Sequence, residues 1–98
     1  MSDVKVEHNP GESRFEVIKD GHLARLDYLI EGQNIRYTHT IVPEELGGQG
    51  IAKALVLTGL HYARDNSMGV IPQCPFVRGY IERHSEWEDL VVPNWEPI

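Results

Sequence analysis

Arg14-Phe15-Glu16-Val17-Ile18 alternates polar and apolar side chains, the period of a strand with one buried face. It ends at Asp20-Gly21, a dipeptide suited to a tight hairpin turn because both residues tolerate positive φ. A second alternating run, His22-Leu23-Ala24-Arg25-Leu26-Asp27-Tyr28-Leu29-Ile30, follows at once. After Glu31-Gly32-Gln33-Asn34 comes a third strand, Ile35 to Val42. There, period two places Ile35, Tyr37, His39 and Ile41 on one face and Arg36, Thr38, Thr40 and Val42 on the other. Three strands joined by short turns predict an antiparallel meander.

Pro43 ends the third strand, and at Gly50 the period changes from two to 3.6. Apolar positions at Ile51, Ala54, Leu55, Thr58 and Tyr62, broadened by Val56, Leu57 and Leu60, predict a helix to about Asp65 that lies largely buried on the sheet; Lys53 and Arg64 stay polar. Asn66-Ser67 stops it, and Met68-Gly69-Val70-Ile71-Pro72 reads as a short apolar strand returning parallel to the third strand through a right-handed crossover. Pro75 suits the first position of a second helix reaching His84, with Phe76, Val77, Tyr80 and Ile81 inward. Ser85 to Leu90 reads as a third short helix or turn before an irregular end. The expected class is α+β, a mixed α/β sandwich: a meander, a βαβ unit, then a C-terminal helix.

Length and composition narrow this further. The 98 residues suit a single domain over 1–98, and 41% hydrophobic residues supply a modest core. No apolar run approaches a membrane span, and Met1-Ser2-Asp3-Val4-Lys5 lacks the layout of a signal peptide, so a cytoplasmic protein without membrane contact is expected. The net charge of −6 argues against a nucleic-acid surface, which needs clustered Lys and Arg. A cationic partner fits better, although the acidic stretch Glu82, Glu86, Glu88, Asp89 and Glu96 also reads as solvated surface. Cys74 is the only cysteine, which excludes an internal disulfide, and His8, His22, His39, His61 and His84 lack ligand spacing, so no metal is expected. The expected assembly is a monomer or a weak dimer.

The chemistry centres on Leu46-Gly47-Gly48-Gln49-Gly50-Ile51-Ala52-Lys53, where a glycine-rich turn enters the long helix. Three glycines in four positions free the backbone for positive φ and bare its N–H groups. The helix start adds unpaired N–H groups and a partial positive charge, which together suit a phosphate; the same turn also reads as a plain strand-to-helix connector. A Walker loop is excluded because Ile51-Ala52 follows the last glycine where Lys and Ser or Thr are needed, and the dinucleotide fingerprint is absent. Ligands of βαβ units bind beyond the carboxyl ends of the strands, where this turn lies.

The stretch Gly47-Gly48-Gln49-Gly50-Ile51-Ala52 resembles the acyl-CoA signature of the GNAT superfamily of N-acyltransferases. It departs at Gly47, where the superfamily usually carries Arg or Gln, which removes a side-chain contact but leaves the backbone amides. The whole chain is similar to the minimal, single-domain branch of that superfamily (the YjdJ type). The resemblance implies a GNAT-like fold with a splayed parallel strand pair and acetyl-CoA as cosubstrate. It implies a cofactor-binding turn that includes Gly47 and Gly48, with the diphosphate on the amides of Gln49, Gly50, Ile51 and Ala52 and Lys53 adding charge. The pantetheine arm would run between the third and fourth strands, where Pro72 helps end the pairing, with its amides paired to backbone groups of Ile41 and Val42.

In that branch a His on the strand before the loop and a Cys after the following strand face each other beside the thioester, matching His39 and Cys74. Spacing independently assigns both to the same rim of the sheet. A thiol at a helix N-cap also feels the positive end of that helix, which favours the thiolate, and it equally suits a small buried hydrophobe. The implied function is acetyl transfer to an amine, from a lysine-bearing protein or peptide or a small amine. His39 is the candidate base, Cys74 either a nucleophile or a polar wall, and Tyr80 either the acid for the departing thiolate or a core aromatic. The alternative is a non-catalytic acyl-CoA-binding sensor or interaction module of the same fold. A Cys-His hydrolase is disfavoured because no third residue that orients the His can be picked from the sequence.

Overall fold

The computed structural model describes residues 4–98. Five strands, β1 (Glu7–Asn9), β2 (Arg14–Lys19), β3 (His22–Glu31), β4 (Asn34–Ile41) and β5 (Gly69–Pro72), form one sheet in sequence order. The first four pair antiparallel and β5 runs parallel to β4. Helix α1 (Ile51–Asp65) makes the crossover, and α2 (Pro75–Arg83) follows β5. The class is α+β, as the hydrophobic pattern predicts. Three features are additions: β1, whose Glu-His-Asn carries no apolar alternation, and 3₁₀ turns at Pro10–Glu12 and Glu44–Leu46. Among the described residues, no helix is long and apolar enough to cross a membrane.

The β2–β3 hairpin closes through Asp20 (φ 53°) and Gly21 (φ 78°), both in the left-handed region that matches the twist of the flanking strands. Because β2, β4 and β5 run the same way, their carboxyl ends share one rim of the sheet with the start of α1.

One face of the sheet carries the core: Phe15, Val17, Ala24, Leu26, Tyr28, Ile35, Tyr37 and Val70 pack against Ile51, Leu55, Val56, Leu60 and Ala63 of α1. The buried stripe of the helix is rotated from the predicted one. Gly59 and Ala63 face inward, whereas Ala54, Thr58 and Tyr62 are half-buried. Gly59 sets this contact, since the Tyr37 hydroxyl donates to its carbonyl at 2.7 Å. A Cβ there would lie 2.9 Å from that hydroxyl and 3.0 Å from Leu26. Of the four residues predicted inward on α2, Val77, Tyr80 and Ile81 are buried and Phe76 is 39% exposed.

The predicted two-face division of β4 holds only as far as Tyr37. Leu26 pairs with Thr40 and Asp27 with His39, but Tyr28 pairs with Tyr37, so Thr38 is a surplus residue in a β-bulge. Its hydroxyl donates to the Asp27 carbonyl at 3.3 Å. The bulge resets the alternation, placing Thr40 on the core side opposite Leu26. His39 and Ile41, expected beside Tyr37, instead lie on the other face and are exposed.

That second face is held by Arg36, only 5% exposed. Its guanidinium donates to both carboxylate oxygens of Glu31, to the Gln73 side chain at 2.8 Å and to the Glu96 carbonyl at 2.9 Å. The Ile98 N–H also reaches the Gln73 side chain, at 2.9 Å, so the last residues lie across β4 and β5.

Candidate functional site

Beyond β4 the chain turns at Pro43, and Leu46, 1% exposed, anchors the 3₁₀ turn in the core. The glycines that follow differ in what they require. Gly48 (φ 75°) and Gly50 (φ 72°) take left-handed conformations, and a Cβ on either would meet nothing within 4 Å; backbone shape, not crowding, calls for glycine. Gly47 is extended at φ −65°, and its Cβ would lie 3.2 Å from the Glu44 carbonyl. Gly50 is the N-cap of α1 and accepts the bond from Ala54, so the N–H groups of the first turn have no intrahelical acceptor.

A cleft of about 430 Å³ opens at this point. It gathers Val42, Gly47, Gly48, Gly50, Ile51, Ala52 and Lys53 of the predicted cofactor residues, and adds Pro43, Glu44, Leu46 and Phe76. Ile41 is not among its walls, because the bulge turns it to the opposite face. Gln49 points instead toward β2, where its side-chain oxygen accepts a 2.5 Å hydrogen bond from Lys19 Nζ. Sequence reasoning missed Lys19. The signal was present in the hairpin dipeptide, which returns β2 to the rim where the glycine turn lies.

Pairing of β4 with β5 ends at Tyr37↔Pro72, followed by a bond from the Cys74 N–H to the Tyr37 carbonyl at 2.8 Å. Past it, β4 continues to Ile41 with no strand on that side among the described residues, and α2 begins at Pro75. This is the splay expected of the parallel pair. Cys74, 3% exposed, is the N-cap residue of α2. Its Sγ lies 3.2 Å from the Thr40 hydroxyl. The residue brought to the thiol is therefore Thr40, and His39 stands across the strand from it, exposed and paired with Asp27. Tyr80 is 6% exposed and stacks on His84 at 4.2 Å, within the core and outside the cleft. Among the described residues, no three His, Cys, Asp or Glu side chains come together as a metal site.

A meander, a left-handed glycine turn capping a long helix, and a parallel pair that parts beside a cleft make a specific combination. The family description "GCN5-related N-acetyl-transferase" matches residues 14–90, from the first residue of β2 to the end of the last 3₁₀ turn. The chain belongs to the GCN5-related N-acetyltransferase family. Its fold agrees with that membership. The NMR solution structure of a GCN5-like candidate N-acetyltransferase from Staphylococcus aureus superposes with a TM-score of 0.71 at 29% identity, covering 94% of this chain and 91% of the other. No curated protein sequence matches the chain.

Proposed function

We propose that the protein transfers an acetyl group from acetyl-CoA to a primary amine. The observation that carries this is the glycine turn, with Gly48 and Gly50 at positive φ, opening α1 beside the cleft where β4 and β5 part. The N–H groups of Gln49, Gly50, Ile51 and Ala52, at the positive end of a 15-residue helix, are suited to the coenzyme's diphosphate, and Lys53 adds charge at the same mouth. The β4 edge beyond Tyr37 offers Ile41 and Val42 backbone groups to the amides of the pantetheine arm. Holding the donor in line with the acceptor can supply about 7 kcal/mol or more of the barrier reduction.

The thioester belongs in the splay, near Thr40 and Cys74. His39 lies on the other face of the same strand, exposed to an arriving acceptor, and removes the proton that an ammonium must lose before attack. The free amine then bonds to the carbonyl carbon as the carbon–sulfur bond breaks and coenzyme A leaves as its thiolate. Cys74 acts here as a wall of the site that orients the donor. The acidic balance, 15 carboxylates against nine Lys and Arg, favours a cationic acceptor such as a lysine-bearing peptide or a small polyamine.

Titration calorimetry with coenzyme A, combined with measured thiol release from acetyl-CoA over a panel of amines, tests the assignment. Saturable binding and amine-dependent release are expected. Folded protein that takes up no coenzyme A overturns it, and binding without amine-dependent release identifies a non-catalytic acyl-CoA-binding module.

A further inference from the structure

The β2–β3 hairpin brings a cation to the glycine turn that the turn's own sequence does not contain. Lys19 is the last residue of β2, and the two-residue turn at Asp20-Gly21 fixes it at the rim shared by the end of β4 and the start of α1. Its ammonium, half-buried, donates to the side-chain oxygen of Gln49, 30 residues away. That partner is neutral. Among the described residues, no carboxylate lies within ion-pair distance of Lys19, although acids outnumber bases 15 to nine in the chain. Arg14, Arg25, Arg36 and Arg64 each have such a partner. Lys53 approaches the same mouth from the first turn of α1. A turn whose amides suit a dianion is thus approached by two lysines that, among the described residues, form no ion pair.

We propose that Lys19 is a ligand of the coenzyme A diphosphate, donating to its oxygens beside the Gln49 amide. This rests on the reading that the glycine turn binds coenzyme A, and deepens it. The Gln49 side chain steers the ammonium to the loop without neutralising it. An ammonium is a compact charge with three donors, suited to oxygens already held by backbone N–H groups. The site is then built from two parts of the chain, the first hairpin and the βαβ unit.

The test measures dissociation constants of coenzyme A, dephospho-coenzyme A and pantetheine for the full chain and for Lys19→Met, Lys19→Arg and Arg83→Gln. A charge-assisted contact predicts that Lys19→Met weakens both nucleotide ligands by about tenfold to a hundredfold and leaves pantetheine unchanged. Lys19→Arg should stay within about threefold of the parent because the charge is kept. The same should hold for Arg83→Gln, which removes a charge at the far end of α2. The affinity of Lys19→Met should also depend less steeply on salt. Loss confined to coenzyme A would assign Lys19 to the 3′-phosphate and overturn the diphosphate contact, as would affinities unchanged in Lys19→Met. A parent protein that binds neither nucleotide fails the functional reading itself, a result distinct from either. Equal weakening by Lys19→Arg and Lys19→Met would show that the hairpin needs the lysine shape, and would overturn the charge-based role.

Discussion

The Thr40 hydroxyl stands 3.2 Å from the Cys74 thiol, while His39, the preceding residue, faces the opposite side of the sheet. One surplus residue, Thr38, produces this division. Two adjacent residues of one strand thereby face opposite sides of the sheet. The thiol is thus buried, at 3% exposure, with a hydroxyl as its polar neighbour.

Removing only the hydroxyl tests that contact. Thr40→Val keeps the branched shape and is expected to lower kcat about three- to tenfold, the worth of one ordinary hydrogen bond, while the coenzyme A dissociation constant moves less than about twofold. Steady-state kinetics alongside calorimetry separate the two quantities. An unchanged kcat would make the contact mere packing.

Gly50 has φ 72° and open space where a Cβ would project. Gly50→Val is therefore expected to cost about 1–2 kcal/mol of stability through backbone strain and to weaken coenzyme A binding at least about tenfold by reshaping the amide cradle. Urea unfolding and calorimetry on the same preparation check both. A variant that remains folded and binds normally would remove the cradle from the mechanism.

Gly59 should resist the substitution that usually stabilises a helix. Alanine gains about 1 kcal/mol of helix propensity, but its Cβ would sit 2.9 Å from the Tyr37 hydroxyl and 3.0 Å from Leu26. Overpacking costs about 1–3 kcal/mol, so Gly59→Ala is expected to be destabilising by about 1 kcal/mol net, read as a lower urea midpoint.

Alkaline stability should depend on Tyr37. Burial, followed by the neighbouring phenols of Tyr28 and Tyr62, pushes the Tyr37 hydroxyl well above the ordinary tyrosine range. The folded state keeps that proton and the unfolded state releases it above about pH 10, so stability is complete below that pH and falls as pH rises, by up to about 1.4 kcal/mol per unit. Tyr28, raised mainly by burial, acts in the same direction. Tyr37→Phe is expected to cost about 1 kcal/mol at neutral pH by losing the bond to the Gly59 carbonyl and to flatten the alkaline decline. Urea titrations between pH 8 and about 11 would reveal an unflattened slope if Tyr37 is not responsible.

Much of this architecture is legible in the sequence because β2, β3 and the first half of β4 alternate, β5 is a short apolar run, and each break carries a strong turn signal. Asp20-Gly21, the glycine turn and Pro75 each fall where the structure uses them. The bulge at Thr38 is not legible. A surplus residue leaves no mark on composition, and extending period two through it reverses the facing of His39 and Thr40. β1 is hidden because its three polar residues show no apolar alternation; they join the sheet by backbone pairing and by polar and ring contacts, His8 to Tyr28 and Phe15 and Asn9 to Glu16, that a linear pattern does not display. In α1, sequence periodicity favours the larger residues and overlooks Gly59, whose missing side chain decides which stripe touches Tyr37. Of the site, the glycine turn and the placement of Cys74 beside α2 are readable, whereas Lys19 and Thr40 depend on long-range pairing that a linear pattern does not contain.

The stitch between Ile98 and Gln73 has a practical side. The Gln73 side-chain oxygen accepts from both Ile98 and Arg36, so a bulky dye or surface tether carried at Ile98 would compete with the Arg36 clasp. Attachment on the β1 side, at the opposite edge of the sheet from β5, leaves that clasp undisturbed.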